Sequence, residues 1–504
     1  MALADPEVRT TGGWVRGSVE SGAAVFRGIP FAMPPVGALR FQAPQAPQAW
    51  DGVRDARAFG PQAPQARFPG APPPPPADNP DDWLTVNVWT PDPHAESLPV
   101  LVWIHGGAYL FGSAAEPGYD GGMFAGAGTV FVSCNYRLGV EGFAQIPGAP
   151  ANRGLLDAVA ALRWVRDNIA SFGGDPGNVT VFGESAGAGV ISALLAMESA
   201  RGLFRRAIAQ SVPGTVFTPE LGADITAKIA AAAGLPATYE ALSAASPASL
   251  VDASMAVTGR MRQFREWGAV SLTDTPFSPV ADGEVLPRAP WRALLSGAGS
   301  EVELLTGHNR DEYRLFIAMS GRLGAITDDD AATVLNHFAP APDGPAGYRK
   351  AYPEADAGRL FELVFSDWLF RMPTLHLAQA HAASGGKTFL YELRAEAPAN
   401  PAMFGACHAL DVPLVFGTAG QGIGAMLTGE RPPAEFVAVG DLMRSEWLKF
   451  AHRGEPGWPI YGSERRTTRV YDLQPDVGPY PEEASMHLWE RHQFDALGLA
   501  PTSR

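Results

Sequence analysis

The sequence predicts an α/β fold in which crossover connections join strands of a central, mostly parallel sheet. Short apolar runs rich in β-branched and aromatic residues indicate buried strands at 99–104, 129–135 and 178–182. Before the third run, apolar residues recur at helical spacing between Gly154 and Ile169. Strands that alternate with helices in this way form a twisted sheet with helices packed on its faces.

The segments that precede these strands predict shorter elements and loops. Val8 to Val19 indicates a hairpin turned at a Gly-Gly pair, and Trp83 to Trp89 alternates like a strand. The stretch at 64–82 is the most biased in composition, with an unbroken proline run from Pro72 to Pro76. Such a run favours polyproline II, so we expect a stiff surface loop. We see no linker, charge block or repeat, and we therefore expect a single domain over residues 1–504.

The strand that ends at Phe182 leads directly into the turn Gly183-Glu184-Ser185-Ala186-Gly187, and a helix is predicted from Ala188 to Met197. A Gly-x-Ser-x-Gly turn between a strand and a helix is the pattern of a nucleophile elbow. The two glycines leave room that a β-carbon would fill. The amino terminus of the helix offers free N–H groups where an oxyanion would form. Ser185 is therefore the candidate nucleophile.

A second glycine-rich loop, His105-Gly106-Gly107-Ala108-Tyr109, follows the strand at 99–104. Loops of this kind present successive backbone N–H groups, which suit an anion. A histidine beside such a loop has a structural role more often than a catalytic one. The loop is therefore a candidate source of N–H donors, and His105 is interpreted as structural.

The composition indicates a large globular protein. Of the 504 residues, 46% are hydrophobic and 18% are charged. A net charge of -15 argues against nucleic acid and anionic membranes as partners. The two cysteines, Cys134 and Cys407, provide no disulfide framework and favour a reducing compartment. The first residues show neither the basic nor the apolar region of a signal peptide, so we expect a cytoplasmic protein.

Motifs in a fixed order extend over nearly the whole chain, namely Phe26–Ala32, Pro34–Phe41, Asn87–Trp89, His105–Ala108, Asn135–Gly139, Asp175–Thr180, Gly183–Gly187, Asp311–Glu312, His408–Leu410 and Val415–Gly417. This set resembles the type-B carboxylesterase/lipase family, which includes the cholinesterases and bacterial p-nitrobenzyl esterases. The resemblance implies the α/β-hydrolase fold, with inserted helical segments around a gorge. It also implies that the proline-rich loop at 64–82 lies near the gorge mouth.

The resemblance further implies a catalytic triad in the order Ser, Glu, His, with Ser185 as nucleophile, Glu312 as acid and His408 as base. Asp311 is a rival for the acid, because either carboxylate could hold an imidazole. Both could also lie in a solvated turn after the strand at 302–306. Asp411 stands where the family usually has Glu three residues after the histidine, and it is a weaker rival.

The same resemblance assigns the oxyanion hole to Gly106, Gly107, Ala108 and Ala186. It also assigns residues that support the triad, namely Glu184, Ser211 and Asp411. The alternative for Ser211 is a buried hydroxyl that is bonded to the backbone. Aromatic and aliphatic residues near these motifs are expected to line the substrate pocket, namely Tyr109, Leu110, Phe111, Leu315, Phe316, Phe365 and Phe370.

Together these residues predict a serine carboxylic-ester hydrolase that cleaves small to medium apolar or aromatic esters through an acyl-enzyme. Transacylase or amidase activity would use the same triad. A non-catalytic binding protein of this family is disfavoured, because all three triad positions are occupied. We expect no cofactor and no metal, a small-molecule ester as the partner, a monomer or homodimer, and a bacterial origin.

Overall fold

The computed structural model describes residues 5–67 and 79–501, and these form two compact units. The first unit extends to Ala207 and adds Val216–Arg288 and the chain from Ala496. The second unit consists of Ile208–Thr215 and Ala289–Asp495. Most of the predicted loop at 64–82, including its proline run, lies outside the described residues.

The strands of the first unit are β1 (Glu7–Arg9), β2 (Trp14–Arg16), β3 (Ser18–Glu20), β4 (Ala23–Pro30), β5 (Val53–Asp55), β6 (Thr85–Thr90), β7 (Leu98–Ile104), β8 (Val130–Cys134) and β9 (Gly174–Glu184). The predicted hairpin is β1 and β2, which form a small sheet with β5. The main strands follow the order β9-β7-β8-β6-β4-β3. β7 is parallel to β8 and β9, whereas β8, β6, β4 and β3 are successively antiparallel. The three predicted buried strands are therefore confirmed, as β7, β8 and β9.

The helices of the first unit are α1 (Gly122–Gly126), α2 (Gly139–Phe143), α3 (Arg153–Asn168), α4 (Ala186–Ala196), α5 (Pro219–Ala232), α6 (Tyr239–Ala244) and α7 (Pro247–Thr258). α3 confirms the predicted helix between the second and third strands. α4 begins at Ala186, two residues before the predicted start, because the helix follows Ser185 without a spacer.

Two loops leave the first unit's sheet at the same edge. Ile104 at the end of β7 pairs with Gly183 near the end of the parallel strand β9. Both strands are almost entirely buried there, as expected for parallel strands covered on both faces. The loop that begins at His105 and the turn at Ser185 therefore start side by side.

The second unit contains the last three residues of β10 (Arg206–Gln210) and the strands β11 (Glu303–Asn309), β12 (Thr388–Leu393), β13 (Thr468–Tyr471) and β14 (Asp476–Gly478). They follow the order β14-β13-β12-β11-β10. β12 is parallel to β11 and β13, and β14 pairs antiparallel with β13. Ser211, just after β10, donates its backbone N–H to the carbonyl of Gly307 in β11 at 2.8 Å. The segments after β10 and β11 therefore lie next to each other.

The helices of the second unit are α8 (Pro290–Leu295), α9 (Arg314–Met319), α10 (Asp328–Phe338), α11 (Gly344–Ala351), α12 (Ala357–Ser366), α13 (Met372–Ala383), α14 (Pro401–Phe404), α15 (Asp411–Phe416), α16 (Gly422–Thr428), α17 (Ala434–Arg453) and α18 (Glu483–Trp489). A π-helical turn, Asp367–Arg371, joins α12 to α13. Within the described ranges, no helix is long and apolar enough to cross a membrane.

Candidate active site

The backbone of Ser185 has a conformation that non-glycine residues rarely adopt. Its φ is 56° and its ψ is -124°, directly before the first residue of α4. Residues in such sparsely populated regions carry strain that the surrounding structure must offset, and they cluster at functional sites. This conformation is typical of a serine at a sharp strand-to-helix turn.

The glycines at both ends of the turn have no room for a side chain. A β-carbon on Gly187 would lie 2.1 Å from the carbonyl oxygen of Ile104, and one on Gly183 would lie 2.5 Å from the same atom. Real β-carbons essentially never approach a backbone atom that closely. The sharp turn therefore requires glycine at both positions, as the motif predicts.

The loop after β7 is also held in left-handed backbone conformations. Gly107, Ala108 and Tyr109 have φ values of 115°, 54° and 59° in succession. A β-carbon on Gly107 would lie 1.9 Å from the carbonyl oxygen of Phe111, so the loop folds back on itself. A β-carbon on Gly106 would lie 3.2 Å from that of Ser185. The loop assigned to the oxyanion hole therefore lies directly against the serine turn.

The predicted pocket residues of this loop lie at different depths. Tyr109 is 2% exposed, and its ring packs on Phe143 with centroids 4.9 Å apart. Its carbonyl accepts the N–H of Gly139 at 2.7 Å, so both ends of α2 hold this residue. Leu110 and Phe111 are half-buried. Tyr109 therefore anchors the loop to the interior of the first unit.

The two other polar residues near the serine turn are buried. His105 stacks on Tyr136 at 4.6 Å, and its Nδ1 lies 2.8 Å from the carbonyl oxygen of Gly106. Burial lowers the pKa of His105 to about 4, so this imidazole is neutral near pH 7. Glu184 is 5% exposed, and its Oε2 lies 3.0 Å from where a β-carbon on Gly106 would be. The structure thus agrees with a structural role for His105.

In the second unit, the carboxylate of Glu312 is fully buried and accepts several hydrogen bonds. Its Oε2 lies 2.6 Å from Nδ1 of His408. Its Oε1 accepts from the hydroxyl of Ser211 at 2.5 Å and from the backbone N–H of Asn309 at 2.8 Å. A carboxylate on Nδ1 selects the tautomer whose Nε2 can accept a proton. The alternative for Ser211, a bond to the backbone, is wrong.

Asp311 and Asp411 have other partners. Asp311 accepts from Arg310, from Arg359 and from the backbone N–H of Ala406. Burial acts to raise the pKa of Asp311, but the bonds and charge from Arg310 outweigh it and hold that pKa below its ordinary value. Both Asp311 and Glu312 are buried, so the expectation of a solvated turn is wrong.

Asp411 lies at the start of α15 and is also fully buried. It accepts from Nε2 of Gln210 at 2.7 Å, from the hydroxyl of Tyr391 at 2.9 Å and from Nδ2 of Asn309 at 3.4 Å. Burial raises the pKa of Asp411 above its ordinary value, opposed by the bond from Gln210. Through Asn309, which also donates to Glu312, this carboxylate is linked to the acid–histidine pair.

Two phenyl rings lie beside the imidazole of His408. Phe370, in the π-helical turn, stacks on it with centroids 4.2 Å apart, and Phe316 in α9 lies 5.3 Å away. Phe370 is buried, whereas Phe316 is 37% exposed. The other two predicted pocket residues of this unit are also buried. Leu315 is buried, and Phe365 stacks on Tyr313 at 4.0 Å.

Sequence reasoning missed Asn309. Its backbone N–H contacts Glu312, and its side chain donates to the carbonyl of Cys407 at 2.8 Å. The only signal in the sequence is its position, a polar residue at the end of a buried strand and three residues before the acid. No group of three or more His, Cys, Asp or Glu side chains in the described ranges is placed to hold a metal ion.

Comparison with known proteins gives matches along nearly the whole chain. A family model described as "Carboxylesterase family" matches residues 4–489. Para-nitrobenzyl esterase of Bacillus subtilis is 36% identical, over 94% of this chain and 96% of its own length. Phenmedipham hydrolase of Pseudarthrobacter oxydans is 34% identical, over 91% and 93% respectively.

Solved structures agree with these matches. The crystal structure of the Geobacillus stearothermophilus carboxylesterase EST55 at pH 6.2 superposes with a TM-score of 0.84 at 36% identity. The match covers 96% of this chain and 99% of that one. The prediction of the α/β-hydrolase fold is therefore confirmed.

Proposed function

Since the chain belongs to the carboxylesterase family and is a carboxylic-ester hydrolase, we propose that Ser185, His408 and Glu312 form its catalytic triad. The observation that carries the proposal is the buried bond of 2.6 Å between Glu312 and Nδ1 of His408. The strained turn at Ser185 supports it independently.

In the proposed reaction, Oγ of Ser185 attacks the carbonyl carbon of the ester while Nε2 of His408 takes the hydroxyl proton. The tetrahedral intermediate collapses, and the alcohol leaves with the proton that the imidazolium returns. A water molecule then attacks the acyl-enzyme by the same two steps and releases the carboxylic acid. Glu312 holds the imidazole in one tautomer and stabilises the imidazolium, and it does not itself take a proton.

The negative oxygen of the intermediate needs donors that are in place beforehand. We assign the backbone N–H groups of Gly107, Ala108 and Ala186 to this role. Each such donor contributes about 3–4 kcal/mol of transition-state stabilisation. The left-handed conformations of Gly107 and Ala108, and the position of Ala186 as first residue of α4, support the assignment. Gly106 gives the loop its close approach to the turn.

For the substrate, we propose esters of small to medium acyl chains with apolar or aromatic alcohols. The rings of Phe316 and Phe370 beside His408 offer apolar surface next to the proposed base. The methyl group of Ala108 takes up space on the acyl side. The relative para-nitrobenzyl esterase, whose name contains an aromatic alcohol group, agrees with this class.

The proposal is tested by kcat/KM over p-nitrophenyl esters with acyl chains from acetyl to palmitoyl, beside butyrylthiocholine. Each methylene changes discrimination by only about 1–3 kcal/mol, so the fall after the optimum should be gradual. Ser185→Ala should abolish turnover of p-nitrophenyl acetate while the thermal transition stays in place. Retention of a tenth of the turnover by that variant would refute the assigned nucleophile. An optimum at twelve carbons or beyond would refute the assigned substrate class.

A further inference from the structure

The proposed acid and base lie on two segments whose backbones are joined at Asp311. The N–H of Asp311 donates to the carbonyl of Ala406 at 2.9 Å. Oδ2 of Asp311 accepts the N–H of Ala406 at 3.1 Å. The next contact follows in register, because the N–H of His408 donates to the carbonyl of Glu312 at 3.2 Å. Asp311 thus binds both polar groups of one backbone unit of the histidine loop.

The carboxylate of Asp311 is fixed in that orientation by two guanidinium groups. Arg310 donates to Oδ2 from Nη2 at 2.7 Å and from Nε at 2.9 Å. Arg359, on α12, donates to Oδ1 at 3.1 Å. Asp311 is only 3% exposed, so these pairs are shielded from solvent on the aspartate side. Both oxygens are therefore occupied, and the side chain cannot turn away from Ala406 without losing charged partners.

The histidine loop is folded directly against this carboxylate. Gly405 has a φ of 55°, and a β-carbon there would lie 2.6 Å from Oδ2 of Asp311. Any other residue at 405 would meet both the strained backbone angle and the carboxylate. The sequence Gly405-Ala406 is thus matched to Asp311, which accounts for a glycine three residues before the histidine.

We propose that Asp311 is a positioning residue for ester hydrolysis: it holds the loop that carries His408 at the distance from Glu312 that the proton transfer requires. The inference rests on the proposed triad. Asp311 does not contact the imidazole in this role, and it acts through the backbone of Ala406. A displacement of about 1 Å in a catalytic group can cost turnover on the order of a hundredfold.

The surroundings allow a direct experiment. An open cavity of about 320 Å³ at this cluster is lined by Asp311, by both of its arginine partners, and by Glu396 and Gly405. In Asp311→Ala, the two guanidinium groups and the N–H of Ala406 would face a vacant space beside this cavity. Formate carries the missing carboxylate and is small enough to enter. Glu396→Ala is the matched control. Oε1 of Glu396 accepts a hydrogen bond from the same Nη2 of Arg310 at 2.7 Å, but the Glu396 side chain is half exposed.

We expect Asp311→Ala to lower kcat for p-nitrophenyl acetate at least about tenfold, with KM changed less than about twofold. Added formate should restore a large part of kcat in this variant and should not affect wild type. Glu396→Ala should keep kcat within about twofold of wild type. A folded Asp311→Ala variant with wild-type kcat, or one that formate fails to restore, would overturn the proposal.

If Asp311→Ala does not fold, Asp311→Asn decides the matter. The amide oxygen can still accept the N–H of Ala406, so kcat should fall by less than about threefold. A loss equal to that of Glu312→Gln would overturn the positioning role. The Ser185→Ala variant in the same assay separates a failure of the proposed triad from a failure of the positioning role. If Ser185→Ala loses turnover as expected but Asp311→Ala keeps the kcat of wild type, only this inference fails and the proposed triad stands.

Discussion

The serine turn of the first unit and the acid–histidine pair of the second are held by different forces. At Ser185 the geometry is set by the backbone, through a strained φ and glycines whose absent side chains would strike Ile104. At Glu312 it is set by hydrogen bonds to the carboxylate, from the side chains of Ser211 and His408 and from the backbone N–H of Asn309. The first arrangement is therefore encoded by neighbouring residues in the sequence, whereas the second forms only when distant segments of the chain come together.

If the polar network defines the second region, the largest loss of kcat should follow from changing the carboxylate that contacts the imidazole. We expect Glu312→Gln to lower kcat by on the order of 10³–10⁴, because the amide no longer selects the productive tautomer. Asp411→Asn is the matched control, since it alters a buried carboxylate of the same network that serves Gln210, Tyr391 and Asn309. Steady-state kinetics with p-nitrophenyl acetate measures both. Equal losses would mean that the roles of Glu312 and Asp411 are misassigned.

If the backbone defines the first region, a single methyl group should break it. We expect Gly187→Ala to lower the free energy of unfolding by about 3 kcal/mol, because its β-carbon meets the carbonyl of Ile104. Gly126→Ala is the control, since a β-carbon at the end of α1 meets nothing within 4 Å. Denaturant unfolding followed by tryptophan fluorescence measures both. Wild-type stability of Gly187→Ala would contradict the steric account.

Each unit also contains a buried histidine that should make it sensitive to acid. Burial lowers the pKa of His105 and of His308 to about 4. The folded protein keeps both rings neutral, whereas the unfolded chain takes up protons below about pH 6.5. The stability that they contribute is therefore complete above pH 6.5 and is lost as the pH falls towards 4.

We expect the free energy of unfolding at pH 5 to be lower than at pH 7 by about 2 kcal/mol for each of these histidines. Denaturant unfolding at several pH values, with His308→Gln to separate the second unit's share, is the measurement. A free energy of unfolding that stays constant between pH 7 and pH 4.5 would show that these rings are protonated in the folded state.

The same contrast explains how much could be predicted from the sequence. The α/β class and the serine turn were predicted from consecutive residues whose spacing follows from backbone geometry, whereas the α/β-hydrolase fold followed from the family resemblance. The start of α4 was placed two residues late. The choice between Asp311 and Glu312 could not be made from residues alone, since both carboxylates lie on one short turn. It depends on Ser211, Arg359 and His408, which come from distant parts of the chain.

The neighbours of His408 show the same limit. Aromatic residues near the acid could be recognised, but not which of them would face the imidazole. Phe370 does so because it lies in a π-helical turn, whereas Phe365, five residues earlier and in α12, stacks on Tyr313. A one-residue shift of the helical register would exchange such neighbours, and local patterns do not predict that register.

The most direct test of the account is to find which residue forms the covalent intermediate. The protein is treated with a fluorophosphonate and digested, and the modified peptide is identified by mass spectrometry, with Ser185→Ala and Glu312→Gln as companions. We predict one adduct, on Ser185, absent from Ser185→Ala and formed much more slowly in Glu312→Gln. An adduct on another serine, or undiminished ester turnover by a protein that carries no adduct, would contradict the account.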